Sequence, residues 1–236
     1  EIVRQYLKNH NKKVLILTHR IELCKQTSKM LTEFEVVNKV IHSKANLDDQ
    51  HLYTCFVAMV ETLNNRLNEN KLDISDIGLV IIDEAHYNSF TKIFKFFSKS
   101  FFLGVTATPL SSNILLPMTD NYEELIVGES IESLIENNFL ARAKTFSYNV
   151  GLTSLVVGAN GDYTVKSSDD LYTNNEMLGK LVEAYEECSK NKKTLIFNNG
   201  INTSLNVYHT FKAAGYEIAH LDNTANRKER EQILRW

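Results

Sequence analysis

The sequence is poor in the residues that make disulfides, bends and membrane spans. Among its 236 residues are three cysteines, Cys24, Cys55 and Cys188, far apart in the chain. An odd, scattered set excludes a disulfide framework and a clustered zinc site; it is the usage of reduced thiols and points to a cytoplasmic setting. Only two prolines occur, Pro109 and Pro117, so few helices or strands meet that obstacle. No apolar run approaches the ~18–20 residues of a membrane span. No signal peptide is visible. Basic residues are not in excess: the net charge is −3 and the pI about 6.2. Any nucleic-acid contact must therefore come from local patches. What is present, 43% hydrophobic and 23% charged residues, is ordinary for a globular chain of one or two domains.

The chain is organised around Leu79-Val80-Ile81-Ile82-Asp83-Glu84-Ala85-His86. Four consecutive apolar residues, three of them β-branched, read as a strand buried on both faces of a parallel sheet. The two carboxylates then fall at the strand's carboxyl end, where open α/β sheets collect ligands. One carboxylate can hold Mg²⁺, directly or through water, while its neighbour orients or deprotonates a water. A bare Asp-Glu pair is equally an ordinary polar turn capping a helix; the full Asp-Glu-Ala-His string after such a strand favours the chemical reading.

Residues 1–9 read as a helix, Val14–Leu17 as a strand, Ile21–Glu33 as a helix, Val36–Ile41 and Tyr53–Met59 as strands and Glu61–Asn70 as a polar helix. Phe90, Ile93, Phe94 and Phe97 share a helical face, and Phe101–Val105 is a further strand ending in Thr106-Ala107-Thr108-Pro109. Alternating strands and helices imply a mainly parallel sheet. Thr18, Asp83-Glu84 and Thr106–Thr108 would then line one edge of it. Ser130–Asn138 reads as a helix capped by Ser130. Residues 141–150 suggest a strand and 151–170 a loop or short hairpin. A second α/β pattern follows: helix from Asn175, strand Thr194–Phe197, helix from Ile201 with Gly215 as its stop, strand Glu217–Leu221, and a helix from Ala225 to Trp236.

In that order the motifs resemble the superfamily 2 helicases and translocases, in particular the Asp-Glu-x-His (DEAH-box) group related to type III restriction-enzyme motor subunits. The matching segments are Val14–Leu23 with Gln26, Val60-Glu61-Thr62-Leu63, Val80–His86, Gly104–Pro109, Ser130–Leu140, Thr194–Phe197 and His220–Arg230. The resemblance implies an α/β protein with two RecA-like domains built on mainly parallel sheets, residues 1–125 and 126–236, the first lacking its phosphate-loop strand and the second incomplete. It implies ATP and Mg²⁺ as cofactors, with Asp83 as the metal ligand and Glu84 positioning the attacking water. His86 would link the ATP site to the Thr106–Thr108 segment, and Thr106 and Thr108 would couple nucleotide state to the nucleic-acid side. Thr18, Arg20, Thr62, Asn198 and Ser204 would contact a nucleic-acid backbone.

Three departures stand beside the resemblance. No Gly-x-x-x-x-Gly-Lys-[Ser/Thr] loop, the usual phosphate cradle, occurs anywhere. The segments that would supply an arginine finger are missing too. Both point to a piece of a longer protein, inactive as an ATPase by itself. Met59 stands where relatives usually place a phosphate-contacting Thr, and Asn223 where a Gly is common. The sequence thus points to part of an ATP-dependent DNA helicase or translocase. An RNA helicase of the same superfamily, or a non-catalytic nucleic-acid-binding module derived from such a motor, are the rivals.

Overall fold

The structure, a computed structural model, describes residues 1–46, 48–69, 76–111, 113, 115–158 and 162–235. Asn70, Gly161 and Trp236, which the sequence reading assigned to a helix end, a loop and a final helix, lie outside the described residues. The chain divides into two compact units, Glu1–Asn137 and Asn138–Trp236.

The first unit holds helix α1 (Ile2–Asn9), strand β1 (Lys13–Thr18), helix α2 (Ile21–Glu33) and strands β2 (Asn38–Ile41) and β3 (Cys55–Met59). Helix α3 (Val60–Asn68), strand β4 (Ile77–Asp83), the short helix α4 (Thr91–Phe94), strand β5 (Phe101–Val105) and helix α5 (Ile131–Glu136) follow. The five strands form one all-parallel sheet in the order β2-β3-β1-β4-β5. β1 is central, with Val14 beside Cys55 on one flank and Leu79 on the other.

The period of two along each strand deals its residues to two faces. Leu15 and Leu17 join Phe56, Ala58, Val80 and Ile82 on one face, beneath Leu63 of α3, Phe90, Ile93 of α4 and Phe97. Val14 and Ile16 join Cys55, Val57 and Leu79 on the other, beneath Val3 of α1, Cys24 of α2 and Val36. Both faces are covered, which is why the strands read as unbroken apolar runs. Burial also pushes the Cys55 thiol up to about 12 and raises that of Cys24, so neither is a reactive thiolate. Helix α5 begins as the sequence suggests, the Ser130 hydroxyl accepting from the Ser133 amide at 3.1 Å.

Gly104 of β5 is needed for a close approach. A Cβ built there would lie 2.8 Å from two ring carbons of Tyr122 and 2.9 Å from the Ala85 Cβ. The Tyr122 ring is itself half-buried, and burial pushes its hydroxyl up to about 12. Gly104→Ala is therefore expected to lower stability by about 1–3 kcal/mol through overpacking. Chemical denaturation of the first unit checks this, and an unchanged midpoint would refute it.

The second unit holds helices α6 (Val165–Tyr172), α7 (Asn175–Cys188), α8 (Ile201–Ala213) and α9 (Arg227–Arg235). Its core is Leu178, Val207 and Phe211, flanked by Tyr185 and Tyr216, whose rings meet edge to face at 5.0 Å. Helix α8 ends as its sequence suggests, Gly215 standing at φ 87° while the Tyr216 amide donates to Phe211 O at 3.0 Å, a left-handed stop.

Three expectations fail here. Residues 141–150, 194–197 and 217–221 form no strand; among the described residues the unit has only the isolated antiparallel bridge Val157–Tyr163. A second parallel sheet is therefore absent from the described residues. The physical reason is that a strand exists only through a neighbour's hydrogen bonds, and these segments are aligned with none: Leu195 and Phe197 stand 83% and 91% exposed. Residues 151–170, read as a loop or short hairpin, hold that antiparallel bridge and from Val165 onward give way to α6, capped by the Thr164 hydroxyl accepting from the Ser167 amide at 3.3 Å. No helix among the described residues is long and apolar enough to cross a membrane.

Candidate functional site

The strand order reverses direction between β1 and β4: the chain leaves β1 toward β2 and leaves β4 toward β5. A crevice for ligands opens at the carboxyl ends of strands flanking such a point. Thr18-His19-Arg20 leaves one of these strands and Asp83-Glu84-Ala85-His86-Tyr87 the other.

Asp83 closes β4, level with Val105 of β5. Its half-buried carboxylate has no hydrogen-bond or ion-pair partner among the described residues, so its acceptor sites remain for a cation or water. Glu84 follows with φ 54°. A side chain in this left-handed region costs roughly 1–2 kcal/mol, and the turn is held by the Tyr87 amide donating to Glu84 O at 3.1 Å and the Ala85 amide donating to Val105 O at 3.0 Å. The kink takes Glu84 out of the strand's alternation and sets its Oε2 3.4 Å from His86 Nδ1.

The same His86 nitrogen lies 2.9 Å from Thr106 Oγ1. Thr106 Oγ1 also faces Thr108 O at 3.1 Å and accepts from the Thr108 amide at 3.1 Å. One hydroxyl carries one proton. Given to Thr108 O, it leaves an oxygen that accepts, so Nδ1 must be the donor. The carboxylate beside Nδ1 favours that tautomer, because an unprotonated nitrogen would set lone pair against lone pair. His86 thus stands between Glu84 and the end of β5. Thr108 contributes only its backbone to this network, its side chain being exposed.

Of the expected nucleic-acid contacts, Thr18 is turned inward. Its side chain is fully buried, donating to Arg20 O at 3.1 Å and lying 2.9 Å from Cys24 Sγ. It shapes the turn and does not present its hydroxyl to a ligand. Arg20 is exposed at the start of α2, a helix with no side-chain cap, so first-turn amides are left for an anion. Thr62 is half-buried in the first turn of α3.

In the second unit, Asn198 lines a cavity of about 460 Å³ with Tyr148, Met177, Phe197 and Thr203. Ser204, in the first turn of α8, lies 2.9 Å from His220 Nδ1, whose Nε2 lies 3.2 Å from Asp222 Oδ2. With Nε2–H donating to the carboxylate, Nδ1 accepts a hydrogen bond from the Ser204 hydroxyl, whose one proton is then not available to a phosphate. Hydrogen bonds from the Thr224 hydroxyl and amide hold the Asp222 carboxyl down to about 2, keeping it ionised to orient His220.

Sequence reasoning missed two residues here. The Tyr87 ring lies between two imidazoles, with centroids 4.9 Å from His19 and 4.3 Å from His86. An aromatic directly after the carboxylate turn was the available signal for Tyr87; His19 carried none.

Part of the chain is similar to known proteins. Residues 1–111 match the family described as the type III restriction enzyme res subunit, ResIII. A 51.5 kDa protein of a Lactococcus phage (isolate 7-9) is 28% identical over 182 residues, covering 74% of this chain and 39% of the phage protein. The Saccharomyces cerevisiae protein named "Putative ATP-dependent helicase IRC3" is 25% identical over 242 residues, covering 95% of this chain and 34% of the yeast protein. The chain therefore spans well under half the length of either relative. Among solved structures, the Pyrococcus furiosus Hef helicase domain is 15% identical with a TM-score of 0.41, covering 99% of this chain and 50% of that one. Residues 1–111, the part of the chain that is similar to the ResIII family, carry the carboxylate turn and the strand ends around it.

Proposed function

We propose that this chain is part of an ATP-dependent DNA translocase or helicase, with its first unit a RecA-like motor domain and its second the connection to, and start of, another. The observation that carries the reading is the Asp83–Glu84 pair at the carboxyl end of β4, tied through His86 to Thr106 at the end of β5. Asp83 fits a Mg²⁺ site of the sparse kind, one carboxylate with the remaining positions left to phosphates and water. Bound Mg·ATP would supply the phosphoryl group and neutralise its developing charge. Glu84 would hold and deprotonate the attacking water, and His86, hydrogen-bonded to Thr106, would fix the Glu84 carboxylate in place.

Nucleic acid would run along the crevice edge, its phosphates met by Arg20 and the uncapped amides of α2. Nothing there resembles a base-reading helix. Binding is thus expected to be sequence-tolerant, with a log–log salt slope of roughly −0.7 per phosphate neutralised on a single strand. Fluorescence anisotropy across a salt series checks this. A slope near zero, or discrimination above about a hundredfold between unrelated sequences, the mark of specific readout, would refute it. The activity itself is tested by ATP turnover of the full-length protein with and without single-stranded DNA or RNA. Stimulation by DNA supports the proposal; stimulation by RNA alone transfers it to an RNA motor; binding without turnover under any condition refutes a motor.

A further inference from the structure

The carboxylate turn and the β1 end are joined by a feature that the Asp-Glu-Ala-His string does not contain. Tyr87 follows that string, and its ring lies between His19, which leaves β1, and His86, which leaves β4. The planes are tilted by 42° and 37°, and the 4.9 Å between the His19 and Tyr87 centroids lies in the range over which aromatic pairs attract. Tyr87 is also tied to the catalytic turn through its amide bond to Glu84 O. On the other side, His19 Nδ1 is buried with no hydrogen-bond partner among the described residues. No bond at that nitrogen fixes the ring, so the stack on Tyr87 is what orients it from this side. Arg20 is the next residue along and is an exposed cation at this edge.

We propose that Tyr87 is a positioning residue that couples nucleic-acid engagement at the His19-Arg20 turn to the orientation of His86 and Glu84. This rests on the reading of the chain as a nucleic-acid-stimulated ATPase. A phosphate drawing Arg20 toward solvent displaces His19 with it. His19 slides on the Tyr87 ring, and the Tyr87 ring in turn shifts His86. His86 Nδ1 stands within reach of both Thr106 Oγ1 and Glu84 Oε2, so a small ring shift changes how its single proton is shared between them. A ring turned toward Thr106 releases the Glu84 carboxylate; a ring turned toward Glu84 holds it in place. The path needs a ring at residue 87 but not a phenol, since stacking uses the face and not the hydroxyl.

The test uses the full-length protein as wild type, Tyr87→Phe, Tyr87→Ala and His19→Leu, with kcat and KM for ATP measured with and without mixed-sequence single-stranded DNA, alongside DNA affinity and melting temperature. Tyr87 is 40% exposed, so its truncation is compatible with folding, and His19→Leu interrupts the same path from the other side. Tyr87→Ala and His19→Leu should lose about fivefold or more of the DNA stimulation, the size of a modest coupling free energy, with the melting temperature unchanged. Tyr87→Phe should retain it. Wild-type stimulation in Tyr87→Ala overturns the proposal, as does a Tyr87→Phe defect equal to that of Tyr87→Ala. A parallel loss of basal and stimulated rates with a lowered melting temperature also overturns it, since that is packing alone. If DNA does not stimulate the wild type itself, the DNA-motor reading fails, and this inference falls with it for a different and recognisable reason.

Discussion

Glu84→Gln in the full-length protein should lower ATP turnover by about 10²–10⁴-fold, the contribution of a positioned general base, while leaving Mg·ATP binding nearly unchanged. The amide keeps the side chain's length and its place in the left-handed turn at φ 54°, but it cannot take a proton from water. Asp83→Ala should behave differently. Asp83 has no protein partner to lose among the described residues, so its removal is structurally mild, and what disappears is the Mg²⁺-dependent part of nucleotide affinity. Titration of a fluorescent nucleotide with and without Mg²⁺, paired with single-turnover hydrolysis, separates the two. Indistinguishable behaviour of the two variants would show that the roles are divided wrongly.

The second large effect concerns Thr106. Its hydroxyl meets His86 Nδ1 at 2.9 Å and engages both backbone groups of Thr108. Thr106→Val removes the hydroxyl and keeps the branched shape. It should leave most DNA-stimulated hydrolysis but cut strand displacement or translocation per ATP by about tenfold, within the range of allosteric coupling energies. The closure driven by nucleotide would lose its link to the strand that leads toward the second unit. Thr108→Ala should have little effect, because that side chain takes no part in the network. If the hydroxyl merely stabilised the turn, its loss would cost about 1 kcal/mol and both activities would fall together with the melting temperature. ATPase and strand displacement measured on one preparation decide between these outcomes.

How much of this was legible in the sequence depended on whether a feature was local. β1 and β4 announce themselves because both faces of each are buried, so Val14–Leu17 and Leu79–Ile82 cannot alternate with polar residues. Helix α6 was hidden by its Ser and Asp content, although Thr164 three residues before Ser167 is a capping signal. Thr194–Phe197 carries the same local signal as Val14–Leu17, yet it forms no ladder, because a strand's partner is not written in the strand. The site divides in the same way. Asp83, Glu84 and His86 stand out as candidates through their place after an apolar run, and Thr106 through its place after the next one. The inward turn of Thr18 was invisible, since it depends on Cys24 one helical turn away across the strand end. The His19–Tyr87 stack was invisible too, because it exists only when β1 and β4 are neighbours, and they are separated by two other strands along the chain.

That placement of β1 has a consequence for the chain during its synthesis. Within this stretch β1 precedes both strands that flank it in the sheet: Val14 waits for Cys55 on one side and Leu79 on the other. Loop closures of this span are slow steps in two-state folding, and rates fall as contacts become more distant along the chain. β2 and β3, nearer in sequence and paired from Asn38↔Cys55, are the pair with the shorter closure. At an elongation rate of about 5–20 residues per second, β1 thus waits on the order of seconds for these two flanking strands to be made. During that interval Val14–Leu17 is the natural target for a holding chaperone.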